Sequence, residues 1–299
     1  MKVLVLGRHG QLARGLVEAG IVAGIEVESV GRPEIDLADF NAVSALVARL
    51  RPNLVVNAAA YTAVDKAESE PALAYAVNAA GAEHAAKACD SHSIPIIHVS
   101  TDYVFDGAKD TPYLESDPTC PINVYGRSKL EGEQRVTNAC ERHLILRTAW
   151  VYSPWGSNFV KTMLRLATAR RNIGVVEDQV GSPTYAPDLA RVILSLADRV
   201  LREPSARRWG IYHAVGSGET NWSGFAREVF QQAREKGLRT AEVDAIATSA
   251  YPTPARRPAN SRLNCDKLRL SYGLALPDWR LGLAHCVSRL AASAQANDA

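Results

Sequence analysis

The chain has 299 residues, 47% hydrophobic and 22% charged, which is enough apolar material for one large or two modest globular domains. A formal net charge of +2 gives no electrostatic footprint for nucleic acid or for an anionic membrane surface. The five cysteines, Cys89, Cys120, Cys140, Cys265 and Cys286, are widely spaced and form no CxxC pair, so neither a disulfide framework nor a zinc site is expected, and reduced thiols in a cytoplasmic protein are.

The opening stretch "MKVLVLG" is too short for the apolar core of a signal peptide and predicts a first strand. No uninterrupted apolar run is long enough to cross a bilayer. Helical spacing follows over Gln11 to Ala19, and "EVESVG" predicts a second strand. "DFNAVSALVARLRP" predicts a helix with Asp39 as N-cap, stopped by Pro52. "LVVNAAA" reads as a third strand and "AVNAAGAEHAAKACDSH" as a helix of small residues. "IPIIHVSTD" reads as a fourth strand, and its near-continuous apolar character suits a strand covered on both faces. A helix carrying Tyr125 and Lys129 comes next, and then a single strand, "HLILRTAWVY".

This alternation predicts an α/β fold, a Rossmann-type doubly wound parallel sheet. The dinucleotide-binding domain is expected over 1–152, with part of 184–218 returning to it. A smaller, mostly C-terminal α/β substrate-binding domain is expected from 153–183 and 219–299. Ligands of such sheets bind at the carboxyl ends of the strands, so Gly7, Asn57, Ser100 and Trp150 are expected to face one crevice. Helical patterns recur at "FVKTMLRLATA", "DLARVILSLADRV" and "WSGFAREVFQQAREKG", between loops rich in Pro, Gly and aromatic residues. The tail "AASAQANDA" is small and polar and is expected to fray.

"GRHGQLA" places Gly7, Gly10 and Ala13 between the first strand and the first helix. The spacing departs from the strict G-x-G-x-x-G fingerprint, but the physics carries over. A glycine allows the tight turn, a second lets the backbone approach a pyrophosphate, and the small Ala13 packs the helix against the strand. The helix N-terminus then faces negative charge. Arg32, just after the second strand, suits a ribose 2′-phosphate and points to NADPH, with NADH as the alternative. Asp36 and Leu37 would flank the adenine, with Asp36 accepting from its amino group.

Tyr125 and Lys129 lie four apart, on one face of a helix. An ammonium beside a phenol favours the phenolate, so the pair can act as a general acid toward a carbonyl that is receiving hydride. The lysine can also hold the nicotinamide ribose. Thr101, between Ser100 and Asp102 at the end of the fourth strand, offers a hydroxyl donor for the developing oxyanion.

With these motifs in place, the chain resembles the extended short-chain dehydrogenase/reductases, and within them the dTDP-4-dehydrorhamnose reductases. The resemblance runs over roughly residues 1 to 285. It rests on "GQLA", "VVNAAAYTAVDKAESEP", "STDYVFDG", "NVYGRSKLEGE", "RTAWVY", "NFVKTML", "DQVGSPT" and "YPTPARRPANSRL". It implies hydride transfer to C4 of dTDP-4-dehydro-L-rhamnose, with Tyr125 as proton donor, Lys129 beside it and Thr101 on the carbonyl oxygen. Gly7, Gly10, Gln11 and Leu12 would line the pyrophosphate, and Ala58, Ala59, Ala60 and Thr62 the adenosine and nicotinamide. Thr101, Asp102, Tyr103 and Trp150 would contact the sugar. Arg256 and Arg257, in a proline-bounded loop, would lie near the diphosphate.

Two departures bear on metal. Some relatives carry an acid early in the first helix that joins a magnesium site at a dimer interface. Here Gly15 stands at that position, and Pro187 lies near the second expected acid. Both argue against magnesium and against that dimer, leaving a monomer or weak homodimer as the expectation. The competing readings are a nucleotide-sugar epimerase on the same scaffold and a regulatory subunit like that of methionine adenosyltransferase. The loop "YPTPARRPANSRL" argues against the first, and the intact Thr101, Tyr125 and Lys129 against the second.

Overall fold

The computed structural model describes residues 1–202 and 208–298. Six strands form the central sheet: β1 (Lys2–Leu6), β2 (Glu26–Val30), β3 (Leu54–Asn57), β4 (Ile96–Thr101), β5 (His143–Thr148) and β6 (Gly210–His213). Their spatial order is β2-β1-β3-β4-β5-β6, and every pairing is parallel. The order reverses direction at β1, which opens a crevice between the ends of β1 and β3.

Successive side chains of a strand point to opposite faces, so each apolar run feeds two cores. Val3, Val5, Leu54 and Val56 pack against helices α1 (Gln11–Ala23) and α6 (Ala186–Arg202). Leu4, Leu6, Val55 and Ile96 pack against α2 (Phe40–Leu50) and α3 (Gly81–Ser91). Asp39 caps α2, its carboxylate accepting from the Ala42 N–H at 3.1 Å.

The helix of small residues has a feature that its periodicity does not show. Its first turn, Ala76–Ala80, is π-helical before α3 begins. That wider turn places Asn78 against the loop after β3. Asn78 accepts from the Tyr61 N–H (2.8 Å) and donates to the Tyr61 carbonyl (3.1 Å) and the Ser128 hydroxyl (2.9 Å).

The stretch expected to be one strand through Tyr152 is two. β5 stops at Thr148, Trp150 takes a positive φ of 48°, and Val151–Tyr152 pairs instead with Thr184–Tyr185. A left-handed conformation at a bulky residue is unfavourable by about 1–3 kcal/mol and persists only where its surroundings hold it. A second apolar core lies beyond this break. It is built by α5 (Phe159–Ala167), α7 (Trp222–Glu235) and α9 (Trp279–Asp298), with Phe225, Val229, Trp279 and Leu283 buried at its centre, whereas α8 (Asp266–Tyr272) joins the first core through Leu268 and Tyr272. The parallel pair Asn172–Val176 and Glu242–Ile246 borders it. Of the tail expected to fray, residues 291–298 belong to α9, and Ala299 lies outside the described residues.

Helix α4 (Val124–Ala139) carries Tyr125 and Lys129, and it lies unusually close to its neighbours. A Cβ at Gly126 would collide with the Tyr103 carbonyl, and one at Gly132 with the Asn78 carbonyl. Gly132→Ala is therefore expected to lower stability by about 1–3 kcal/mol in urea unfolding, because backbone on both sides has to move. A change within about 0.5 kcal/mol would show that the helix is free to shift.

Candidate active site

A cleft of about 630 Å³ opens at the carboxyl ends of β1, β3, β4 and β5. Every residue assigned above to the dinucleotide lines it, from Gly7 and Gly10 through Arg32, Asp36 and Ala58 to Tyr125 and Lys129. Gly7 adopts a φ of +122°, and a Cβ there would stand 3.0 Å from the Ala59 nitrogen, so only glycine makes this turn. At Gly10, the N-cap of α1, no side chain caps the helix, and its first turn holds no acid. The first N–H groups of α1 are thus left for an anion, and open space surrounds Gly10. The Gln11 side chain is otherwise engaged: its oxygen accepts from Ser153 (2.7 Å) and Asn158 (2.9 Å), tying the phosphate turn to the chain beyond β5.

At the far end of the cleft Arg32 pairs with Asp36 at 2.9 Å. The other Asp36 oxygen accepts from the Ala38 N–H at 3.0 Å, so both oxygens expected to face an adenine already have partners. Arg8, which the sequence reading passed over, lines the same end and pairs with Glu34.

Of the four strand-end residues, Gly7 and Ser100 line the cleft. Asn57 does not. It is buried and bonds inward to His98 Nδ1 at 3.1 Å. Trp150 turns the other way and stacks on Trp222, with ring centroids 3.5 Å apart and planes 10° apart.

Thr101 and Tyr125 meet at the end of β4, where burial pushes the phenol up to about 12 and the Thr101 hydroxyl beside it pulls the other way. Thr101 donates to Asp102 Oδ1 at 3.0 Å and accepts from the Tyr103 N–H at 3.2 Å. Burial holds the Asp102 carboxyl up at about 6, and its Oδ2 is buried without a partner. Lys129 is only 1% exposed. Its Nζ donates to the Val99 carbonyl at 2.7 Å, and burial lowers it from 10.5 to about 8 while Glu133 opposes that shift. The expected lowering of the phenol by Lys129 is absent from this geometry: the amine is turned to β4, and desolvation dominates at Tyr125.

One helical turn beyond Lys129 stands Glu133, which the sequence reading missed although it continues the same i, i+4, i+8 face. It accepts from Ser100 at 2.5 Å and forms a forked pair with Arg147 at 2.9 and 2.7 Å. Both side chains of the pair are 3% exposed.

The residues expected to meet a sugar border Tyr125 from the other side. The Tyr103 ring is edge-on to Tyr125 at 5.6 Å. Arg257 pairs with Asp65 at 2.9 Å and its charge bears on Tyr103, whereas the Arg256 side chain is exposed. Arg256 contributes its carbonyl, which accepts from Asn123, the N-cap of α4, at 2.8 Å.

The family described as the RmlD substrate binding domain matches residues 1–292. The chain is 50% identical over 279 residues to the dTDP-4-dehydrorhamnose reductase of Sinorhizobium fredii, covering 93% of this chain and 94% of that one. The chain belongs to the dTDP-4-dehydrorhamnose reductase family. Two solved structures of the family are alike in shape. That from Clostridium acetobutylicum has a TM-score of 0.89 at 38% identity, covering 97% of this chain and 99% of that one. That from Bacillus anthracis, in complex with NADP, has a TM-score of 0.89 at 35% identity, covering 96% and 99%.

Gly15, the first-helix position where an acid was looked for, serves a packing role here. A Cβ on Gly15 would stand 3.2 Å from the Ala186 carbonyl and 3.3 Å from Ala190, so the glycine sets how closely α1 meets α6. Among the described residues no group of three or more His, Cys, Asp or Glu could share an ion, and no helix is long and apolar enough to cross a membrane.

The Glu133–Arg147 pair generates a stability prediction. Glu133→Gln alone strands a buried guanidinium and is expected to destabilise the protein by about 3–5 kcal/mol. Replacing both partners, as Glu133→Gln with Arg147→Met, is expected to recover most of that loss in a double-mutant cycle read by urea unfolding. Additive losses would mean that the pair does not act as a unit.

Proposed function

We propose that this chain reduces the C4 keto group of dTDP-4-dehydro-L-rhamnose to give dTDP-L-rhamnose, with NADPH as the preferred hydride donor and NADH as the alternative. The observation that carries this reading is that one cleft joins an anion-binding turn to a buried phenol. The turn at Gly7 to Leu12, the arginines at the far end and the Tyr125–Lys129 pair all line it. NADP in the Bacillus anthracis relative supports the cofactor.

The residues fit a dinucleotide. The uncapped N-terminus of α1 and the Gly7 turn would hold the pyrophosphate. Arg32 would hold a 2′-phosphate once released from Asp36. When bound, the nicotinamide supplies the hydride.

Tyr125 gives its phenolic proton to the sugar oxygen. Burial keeps that proton in place at neutral pH, which suits a group that must enter the reaction as an acid. Thr101 turns its hydroxyl from Asp102 to the same oxygen and stabilises the developing charge. Lys129, one turn along α4, would turn its ammonium from the Val99 carbonyl to offset the phenolate left behind and to hold the ribose. Asp102, Tyr103 and, from its stack on Trp222, Trp150 would border the sugar, and Arg257 would lie toward its diphosphate. The division into a dinucleotide unit, 1–152 with part of 184–218, and a sugar unit from 153–183 and 219–299 follows from the same reading. So does a cytoplasmic enzyme, monomeric or weakly dimeric.

The test is oxidation of NADPH by the purified chain on addition of dTDP-4-dehydro-L-rhamnose, run beside NADH. Turnover is expected with both and faster with NADPH. Tyr125→Phe is expected to lower kcat by about 10²–10⁴-fold while dTDP-sugar binding is retained. Interconversion of nucleotide-sugar epimers without net oxidation of NADPH would overturn the reductive reading.

A further inference from the structure

The loop that carries Arg256 and Arg257 has no backbone pairing to hold it. Residues 252–259 belong to no helix or strand, and among the described residues no backbone–backbone bond reaches Pro252 through Pro258. Yet Ala255 is fully buried, so side chains must set the loop's place. Two from outside the loop do so. Asp65, in the short helix Val64–Ala67 after β3, accepts from the Ala255 N–H at 3.2 Å and from Arg257 Nη2 at 2.9 Å. Asn123 donates from Nδ2 to the Arg256 carbonyl at 2.8 Å.

Asn123 uses both ends of its amide. It is only 1% exposed, and as the N-cap of α4 its Oδ1 accepts from the Gly126 N–H at 2.7 Å. The carbonyl on one side and the N–H on the other fix which end is which. Serine and aspartate cap a helix about as well, so capping alone does not call for asparagine. The donor that grips Arg256 does. Glu68, just beyond Asp65, closes the figure by accepting from the Val124 N–H at 2.8 Å. Segment 65–68, the start of α4 and the loop thus brace one another, each bonded to the other two.

This junction lies between the two ends of the proposed sugar site. Arg257 belongs to the loop, and its charge bears on Tyr103, whose ring is edge-on to Tyr125. Tyr125 follows Asn123 by two residues. We infer that Asn123 is a positioning residue: its oxygen caps α4 while its nitrogen holds the Arg256 carbonyl, and this sets the distance between the Arg257 guanidinium and the Tyr125 phenol. The junction thereby measures the reach from diphosphate to sugar oxygen in the substrate. The inference rests on the roles given to Arg257 and Tyr125 above, but most of its test needs no turnover.

Asn123→Ser keeps a cap and removes the grip. NADPH binding is expected to hold within about twofold, while the Kd for dTDP alone rises about 5–10-fold. Hydrogen exchange at the Ala255 N–H is expected to quicken while α4 stays protected. At saturating substrate kcat is expected to fall about tenfold, because the sugar is misplaced against Tyr125. A role confined to the cap would move none of these. Asn123→Asp keeps the shape and the cap, sets a carboxylate against the Arg256 carbonyl, and is expected to show the same losses. Equal weakening of dTDP and NADPH, or unchanged exchange at Ala255, overturns the inference. Should neither variant fold, the unsubstituted chain decides: dTDP is expected to slow exchange at Ala255 and Gly126 together, and slowing at Ala255 alone overturns it. The expected shifts in a chain that does not reduce dTDP-4-dehydro-L-rhamnose would uphold the inference and sink the proposed function alone.

Discussion

The buried Glu133–Arg147 pair is the constraint around which the reactive helix is built. A carboxylate and a guanidinium taken out of water are tolerable only when they pair with each other, and the carboxylate gains further from any donor left in reach. Here the fork runs from β5 to α4, and Ser100 at the end of β4 adds a third bond. Two strands and a helix are thereby fixed at one point. Lys129 lies one turn from it and Tyr125 two turns, so the depth of both follows from where Glu133 is held. The glycines at 126 and 132 make that depth attainable, since any side chain there would lift α4 off Tyr103 and Asn78.

Much of the central sheet was legible because a parallel strand covered on both faces has a plain signature. "KVLVL", "LVVN" and "IIHVST" each feed two cores, and no amphipathic helix reads that way. The C-terminal half lacked such a signal. Its strands Val151–Tyr152, Val180–Gly181, Thr184–Tyr185 and Thr220–Asn221 have two residues each, too short for any period, and their pairing partners lie far along the chain. The break at Trp150 was hidden for a different reason. "TAWVY" has good strand propensity, and what forces its positive φ is tertiary: Trp222 stacks on the indole, and Gly181 leaves no room for a Cβ against it.

The site divides along the same line. Residues whose role comes from local chain geometry, such as Gly7, Gly10 and the Tyr125–Lys129 face, could be read from spacing. Residues whose role comes from a partner far along the chain could not. Asp65 is defined by Arg257, Trp222 by Trp150, and Arg256 by the carbonyl it lends to Asn123. Asn57 looked like a cleft residue because it ends a strand, yet its amide turns inward to His98. Glu133 is the exception, since its spacing from Lys129 was visible. Without the buried Arg147 opposite, a glutamate in "LEGEQR" reads as a solvated helix face.

A net charge near zero conceals how the chain meets a ligand with several phosphates. Positive potential is gathered locally: the N-terminus of α1, Arg8 and Arg32 all face one cleft, and the first turn of α1 holds no acid. In the free protein the two arginines are neutralised by Glu34 and Asp36. These are exposed pairs, and such pairs contribute about 0–1 kcal/mol, so exchanging the carboxylate for a phosphate costs little. A 2′-phosphate would gain a charge-assisted fork from Arg32 and release Asp36 to solvent. A 2′-hydroxyl would gain a single acceptor, Asp36, and leave the arginine where it was. The same two side chains can thus serve either dinucleotide, and the balance favours the phosphorylated one because its gain falls on the stronger contact.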